Sequence, residues 1–261
     1  MLLQGKTVVV SGVGAGLGHR IAEAVMRDGG NAVLGARTAA NLARTAAAID
    51  PDGRRTALLA TDITDEAQCG ALAALAVERF GGIDAVVHVA AWDSYFGGLA
   101  DADFATWQGV LDVNLLGTLR MTRACLPALR AAGGGSVVFI GTQSAVAAPS
   151  QVRQAAYAAS KGALTSAMYS LARELGPERI RVNTVLPGWM WGPPVEAFVR
   201  FTAQTEGVPE EEVLGRLASR MALPELAADA DVAEAVVFLA SARARAITGQ
   251  SLLVNAGELM H

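Results

Sequence analysis

The chain has 261 residues, with 21 Lys and Arg against 25 Asp and Glu, 52% hydrophobic and 18% charged residues, three histidines and two cysteines. At roughly 100 to 200 residues per domain, and up to about 250 for a single α/β domain, this length predicts one large domain, residues 1–261, with a substantial core. A formal net charge of −4 without a basic block argues against nucleic acid or an anionic membrane as partner, and Cys69, Cys125 and the scattered His19, His88 and His261 form neither a disulfide framework nor a metal-ligand set.

Along the chain, short β-branched or apolar runs at 7–10, 32–34, 56–59, 85–89, 136–140, 181–186 and 251–254 alternate with longer helical stretches. Seven strands separated by helices predict a doubly wound, Rossmann-like parallel sheet with both faces covered. Runs such as Val8-Val9-Val10 and Val137-Val138-Phe139-Ile140 are apolar throughout, as strands buried on both faces must be. Asp65 is placed to open a helix that reaches Phe80, and Gly81-Gly82 to close it; Gly133-Gly134-Gly135 closes another. Residues 189–223 break the rhythm with helical pieces but no strand, and are expected to form a substrate lid. The first residues lead straight into a strand, and no apolar run approaches the roughly eighteen residues of a membrane span, so the expected compartment is the cytoplasm.

Immediately after the first strand comes Ser11-Gly12-Val13-Gly14-Ala15-Gly16-Leu17-Gly18, and a helical pattern follows. Glycines there let the backbone approach a pyrophosphate, whose charge is stabilised by the amides and dipole of the next helix. An acid that would bind an adenosine ribose is expected about 20 residues further on. That place holds Gly35-Ala36-Arg37-Thr38 instead, and no acid occurs between Asp28 and Asp50. A guanidinium can pair with a 2′-phosphate where a carboxylate would repel it, so NADP(H) is favoured and NAD(H) is the alternative.

Tyr157-Ala158-Ala159-Ser160-Lys161 lies in a helical stretch, which puts Tyr157 and Lys161 on one face at i, i+4. A phenol titrates near about pH 10 and becomes useful for proton transfer when a cation such as Lys161 stands beside it.

With these motifs in order from Ser11 to Gly257, the chain resembles the classical short-chain dehydrogenase/reductase family. Its glycine pattern is matched by Ser11, Gly12, Gly16 and Gly18, its adenine-contacting acid by Asp62 before Ile63, its helix asparagine by Asn114, its Tyr-x3-Lys by Tyr157 and Lys161, and its Pro-Gly by Pro187 and Gly188. The resemblance implies a cofactor site drawn from Gly12, Gly14, Ala15, Gly16, Leu17, Gly18, Arg37, Asp62, Ile63, Ala90, Ala91, Asn114, Tyr157, Lys161, Pro187, Gly188 and Met190. It further implies that Asn114 supports Lys161 through a water. Three departures stand out: the family's Asn-Asn-Ala-Gly is His88-Val89-Ala90-Ala91, no threonine follows Pro187-Gly188, and the terminal Asp-Gly-Gly is Asn255-Ala256-Gly257. His88 reads as a packed strand residue rather than a ligand, and the amides that brace the central strands are lost.

Two hydroxyls compete for the family's catalytic serine. Strand register places Thr142 there, 28 positions after Asn114, whereas counting back 13 positions from Tyr157 gives Ser144. Strand register is the better guide, because loops change length more readily, and either hydroxyl could stabilise charge developing on a carbonyl oxygen.

The expected activity is hydride transfer between a nicotinamide cofactor and a ketone or secondary alcohol, without a metal. The alternatives are an epimerase or dehydratase that retains its cofactor, or a dinucleotide-sensing regulator without catalysis. Trp92, Tyr95 and Phe96, with Trp189, Met190 and Trp191, concentrate bulky groups near the expected pocket mouth and point to a lipophilic or ring-containing small-molecule substrate. Many small and apolar residues on the helices expected at about 105–132 and 152–175 imply, by the same resemblance, a homotetramer or homodimer.

Overall fold

The structure, a computed structural model, describes residues 1–148 and 152–260; His261 lies outside the described residues. Seven parallel strands form one sheet in the order β3-β2-β1-β4-β5-β6-β7. They are β1 (Thr7–Ser11), β2 (Asn31–Ala36), β3 (Thr56–Ala60), β4 (Ala85–His88), β5 (Gly135–Ile140), β6 (Ile180–Pro187) and β7 (Ser251–Val254). All seven expected strands are present, each end within two residues of its expected position.

Two buried clusters flank the sheet. On one face Val8, Val10, Val138 and Ile140 pack with Ile21 and Val25 of α1 (Leu17–Arg27), and with Val232 and Val236 of α9 (Asp229–Ala240). On the other, Val9, Val137 and Phe139 pack with Leu72 of α3 (Glu66–Phe80), Met121 and Cys125 of α5 (Thr118–Ala131), and Leu164 and Met168 of α6 (Ala155–Leu175). Alternate residues of one strand therefore enter different cores, which is why an unbroken apolar run is required. Both cysteines are buried free thiols.

Local signals act where the chain order puts them. The Asp65 carboxylate accepts from the Ala67 and Gln68 amides at the start of α3, and Gly81 ends that helix at φ 83°. At the second glycine run only Gly133 and Gly134 serve the helix end, with φ 79° and 130°, while Gly135 already starts β5. The long helix expected at 105–132 is interrupted. It divides into α4 (Phe104–Leu111), a π-helical turn (Asp112–Gly117) and α5, and the π turn carries Asn114. The remaining helices are α2 (Ala39–Ile49), α7 (Pro193–Glu206) and α8 (Glu210–Ala218). The last two enclose a small core of Val199, Ala203, Val213 and Leu217, capped by Trp189 and Trp191.

Chain order reverses between β1 and β4, so a crevice opens at their carboxyl ends. His88, at the end of β4, is fully enclosed beside it. Its Nδ1 lies 3.4 Å from the Ser11 hydroxyl and its Nε2 lies 2.9 Å from the Thr122 hydroxyl. Thr122 donates its own proton to the Thr118 carbonyl at 2.9 Å, so its oxygen accepts from Nε2–H and leaves Nδ1 to accept from Ser11. The imidazole thus ties β4 to β1 and α5, a bracing contact in place of the missing amides.

Burial, with the nearby Lys161 charge, pushes His88 down to about 3. An unfolded histidine titrates near about 6.5, so between the two values the unfolded chain binds the extra proton and stability falls as pH falls. The expected contribution is about 1.4 kcal/mol per pH unit well below 6.5. Denaturant midpoints at pH 4.5 to 7 should show this slope in the native protein and its loss in His88→Asn; equal slopes would contradict a neutral, buried imidazole.

Candidate active site

The crevice begins with a close approach. At Gly12, φ 98°, a Cβ would lie 2.1 Å from the Ala90 amide nitrogen, so no side chain fits while Val89 and Ala90 both donate to the Ser11 carbonyl. A Cβ on Gly18 would lie 2.5 Å from the Gly12 carbonyl oxygen, which seats α1 against the turn, whereas Gly14 faces open space. Gly16 precedes α1 without a side-chain cap, leaving the first amides of the helix to an external acceptor.

The groove this creates has a volume of about 500 Å³ and is lined by Gly12, Gly14, Gly16, Leu17, Gly18, Arg37, Asp62, Ile63, Ala90, Ala91 and Trp92, among others. Arg37 is exposed just beyond β2, and among the described residues it makes no ion pair. The Asp62 carboxylate accepts from the Thr64 amide and hydroxyl at 2.9 and 2.7 Å, and these bonds, then the Arg37 charge, hold it below the usual carboxylate range. A glycine cradle, uncapped helix amides, an arginine and a buried-edge acid fit a dinucleotide, whose pyrophosphate the glycine turn would hold and whose adenosine Arg37 and Asp62 would hold.

A second cavity of about 420 Å³ adjoins the groove, sharing Asp93 and Pro194 with it. Thr142, Ser144 and Tyr157 line it. Tyr157 and Lys161 lie on consecutive turns of α6, with the Lys161 ammonium 6.0 Å from the Tyr157 ring centre and donating to the Ile140 carbonyl at 2.8 Å. Lys161 is 1% exposed, and burial brings it down to about 8 against the opposing pull of the Asp93 carboxylate. Burial pushes the Tyr157 phenol up, Asp93 pushes it further, and a hydrogen bond with the Thr142 hydroxyl draws it back.

The two candidate hydroxyls differ in their surroundings. Thr142 caps a short 3₁₀ turn, Gln143–Ala145, by accepting from the Ser144 amide at 3.2 Å, and its oxygen faces Tyr157. Ser144 lies in the cavity wall one step further along.

Asn114 is completely buried. Its side chain accepts from the Trp92 amide at 2.6 Å and donates to the Trp92 carbonyl at 3.1 Å and the Ser160 hydroxyl at 2.9 Å, while Ser160 donates to the Tyr157 carbonyl at 2.7 Å. Its amide group therefore joins the loop after β4 to α6, and its backbone carbonyl accepts from the Thr118 hydroxyl at 3.0 Å.

Of the aromatic residues singled out by sequence, Trp189 and Phe96 enter the second cavity, with the Trp189 ring tilted 48° against Phe198 at a centre distance of 4.9 Å. Trp92 lines the groove instead. The Tyr95 hydroxyl accepts from the Asp103 amide at 2.8 Å, which turns it toward the start of α4. Trp191 is held by backbone bonds to Ala227 and Asp229 and packs into the core between α7 and α8. Met190 packs against the α1–α9 core, and Pro187 ends β6. Gly188 lines the second cavity, where a Cβ would lie 2.6 Å from Gln143 Oε1.

Sequence reasoning missed two features. Asp93 reaches both cavities, but a lone acid in a loop carries no motif. Gln143 accepts from Asn255 Nδ2 at 2.9 Å and donates to Glu258, which also accepts from Arg220 and whose side chain is 7% exposed. The Ala222 and Leu223 amides add bonds to the Ala256 carbonyl. The end of the chain thus clamps residues 220–223 and the turn behind Thr142, a contact across more than a hundred residues that no spacing announces.

A family model described as enoyl-(acyl carrier protein) reductase matches residues 12–258. The chain is 32% identical over 256 residues to the short-chain reductase protein NovJ of Streptomyces niveus, covering 97% of this chain and 94% of the relative. It is also 32% identical to L-fucose dehydrogenase of Bos taurus, covering 97% and 89%. The crystal structure of L-sorbose reductase from Gluconobacter frateurii, complexed with NADPH and L-sorbose, superposes with a TM-score of 0.92 at 27% identity, with both chains covered completely. The chain belongs to the short-chain dehydrogenase/reductase family, and it is an NAD(P)-dependent oxidoreductase.

If Thr142 orients the reacting oxygen, Thr142→Val lowers kcat about 10²-fold while Ser144→Ala costs far less. Steady-state kinetics of both variants measure the ranking, and the reverse order would transfer the role to Ser144.

Proposed function

We propose that the protein transfers hydride between NADP(H) and a ketone or secondary alcohol of a lipophilic or ring-containing small molecule. Tyr157 and Thr142 together in the wall of the cavity that adjoins the groove, with the buried Lys161 ammonium 6.0 Å from the Tyr157 ring, carry this reading. When bound, the nicotinamide supplies or accepts the hydride. The Thr142 hydroxyl and Tyr157 phenol hold the substrate oxygen between them, and in reduction Tyr157 gives that oxygen its proton. A phenol kept protonated by burial suits this direction. The buried Lys161 ammonium favours the phenolate left behind, and in oxidation the same groups take the proton from the alcohol.

The neutral groups Trp189, Phe198, Val195 and Phe96 in the cavity wall support a lipophilic or ring-bearing substrate. Because α7 contributes Pro194, Val195 and Phe198, residues 189–223 act in this reading as a lid on one domain. Phe104, Leu116 and Tyr169 lie exposed on α4, the π turn and α6, which supports association as a homotetramer or homodimer through these elements. No helix among the described residues is long and apolar enough to cross a membrane, and cytoplasmic placement is part of the same proposal.

Lys161 works as an ammonium, so ketone reduction should run level from about pH 6 to 7.5 and then fall, approaching tenfold per unit once Lys161 loses its proton through about 8. Initial rates between pH 6 and 10 test it; a flat profile to pH 10 would remove the lysine's charge from the mechanism.

Arg37 supports NADP(H), since its guanidinium is free for a 2′-phosphate and Ala36 leaves the neighbouring space uncharged. Ala36→Asp with Arg37→Ser should shift preference toward NAD(H) about ten- to hundredfold, as expected for losing a charged hydrogen bond and adding a repulsion. Absorbance at 340 nm with each cofactor measures the shift. A native protein that already prefers NAD(H) would overturn the cofactor reading.

A further inference from the structure

The second cavity carries one formal charge. Its described lining is otherwise aromatic, aliphatic or neutral polar, and Asp93 stands in it without an ion pair among the described residues. The placement is enforced from both sides. Asn114 fixes the backbone of Trp92 through two hydrogen bonds, and the Gln154 side chain, three residues before Tyr157, donates to the Asp93 carbonyl. The backbone of Asp93 is thereby fixed, and the residue lines both groove and cavity, near Tyr157 and Lys161.

Such a charge has a cost for the chemistry. It raises the phenol's affinity for its proton, so it opposes formation of the phenolate that follows proton donation. A carboxylate at this place becomes useful when the substrate itself brings a hydrogen-bond donor that occupies it and shields its field.

Resting on the hydride-transfer reading above, we propose that Asp93 is a specificity-determining residue that accepts a hydrogen bond from a hydroxyl on the carbon next to the reacting carbon, so that the preferred substrates are α-hydroxy ketones and the corresponding vicinal diols with an apolar or ring-bearing remainder. The carboxylate takes the donor, the Thr142–Tyr157 pair takes the carbonyl oxygen, and Trp189 with Phe198 covers the apolar remainder. The geometry asks for a donor rather than mere polarity, because an ionised carboxylate can only accept. A substrate lacking the hydroxyl would leave that acceptor dehydrated and unpaired, and is discriminated against for that reason.

The test uses 2-hydroxyacetophenone, 2-methoxyacetophenone and acetophenone with the native protein and with Asp93→Asn, each with NADPH. The native protein should favour the hydroxy ketone over both others by about tenfold or more in kcat/KM, the size of a hydrogen bond to a charged group. In Asp93→Asn the preference should fall to a few-fold, with the NADPH dissociation constant unchanged. A parallel calorimetric titration compares 1-phenylethane-1,2-diol with 1-phenylethanol on the NADPH-loaded protein, where no hydride can move. The diol should bind more tightly by a similar factor, and Asp93→Asn should lose the difference. This second measurement separates the two readings: a diol preference without turnover upholds the role of Asp93 and removes hydride transfer to these ketones. Equal affinity for diol and alcohol, or a preference that survives Asp93→Asn, overturns the proposal. It is also overturned if Asp93→Asn weakens NADP⁺ selectively over NADPH, since the carboxylate would then serve the charge of the oxidised cofactor, or if 2-(trimethylammonio)acetophenone outcompetes the hydroxy ketone, since charge alone would then be recognised.

Discussion

The molecule depends on how closely β1 and β4 approach at their carboxyl ends. The Ala90 amide nitrogen would lie 2.1 Å from any Cβ at residue 12, so glycine is the one residue that lets these strands pair and the chain then turn away. From that contact follow the crevice at the reversal of strand order, the seating of α1 by its uncapped end, and the entry of the β4 loop into the site. His88 reinforces the same junction from beneath, with one imidazole nitrogen on β1 and the other on α5.

Electrostatics in the site are governed by burial more than by partners. Lys161 and Tyr157 are each moved toward their neutral forms by desolvation, and His88 is held neutral for the same reason. A neutral imidazole is compatible with a lysine charge close by, where an imidazolium would compete with it. Against this background the two remaining influences on the phenol have opposite senses: Thr142 lowers its affinity for the proton and Asp93 raises it. Both influences come from outside α6, one from Thr142 just beyond β5 and one from Asp93 in the loop after β4.

Positioning of these groups is distributed through the fold. Asn114 sits in a π turn, where the widened backbone turns its amide toward Trp92 and Ser160 together. Glu258 and Asn255 saturate both ends of the Gln143 amide and so fix the turn that follows Thr142. Through Arg220 and the Ala256 carbonyl, the same tail holds residues 220–223, the far end of the segment whose α7 walls the cavity.

The sequence by itself determined what is local. Unbroken apolar runs specified strands buried on both faces, Asp65 and Gly81 delimited α3, and glycines following a strand marked the phosphate-type turn, because each signal acts on backbone within a few residues. Tyr157 and Lys161 were legible as neighbours since 3.6 residues per turn places i and i+4 together. Tertiary structure alone decided the placement of Thr142 beside Tyr157 and of Ser144 in the cavity wall, the bracing by His88 and the arrival of Asp93 at the cavity. It also moved Trp92, Tyr95 and Trp191 to walls and contacts outside that cavity, and joined Gln143 to Glu258 across 115 positions. Distance along a chain says nothing about distance across a sheet, and those contacts exist because two elements, each shaped by its own neighbours, are pressed together by a core to which both contribute.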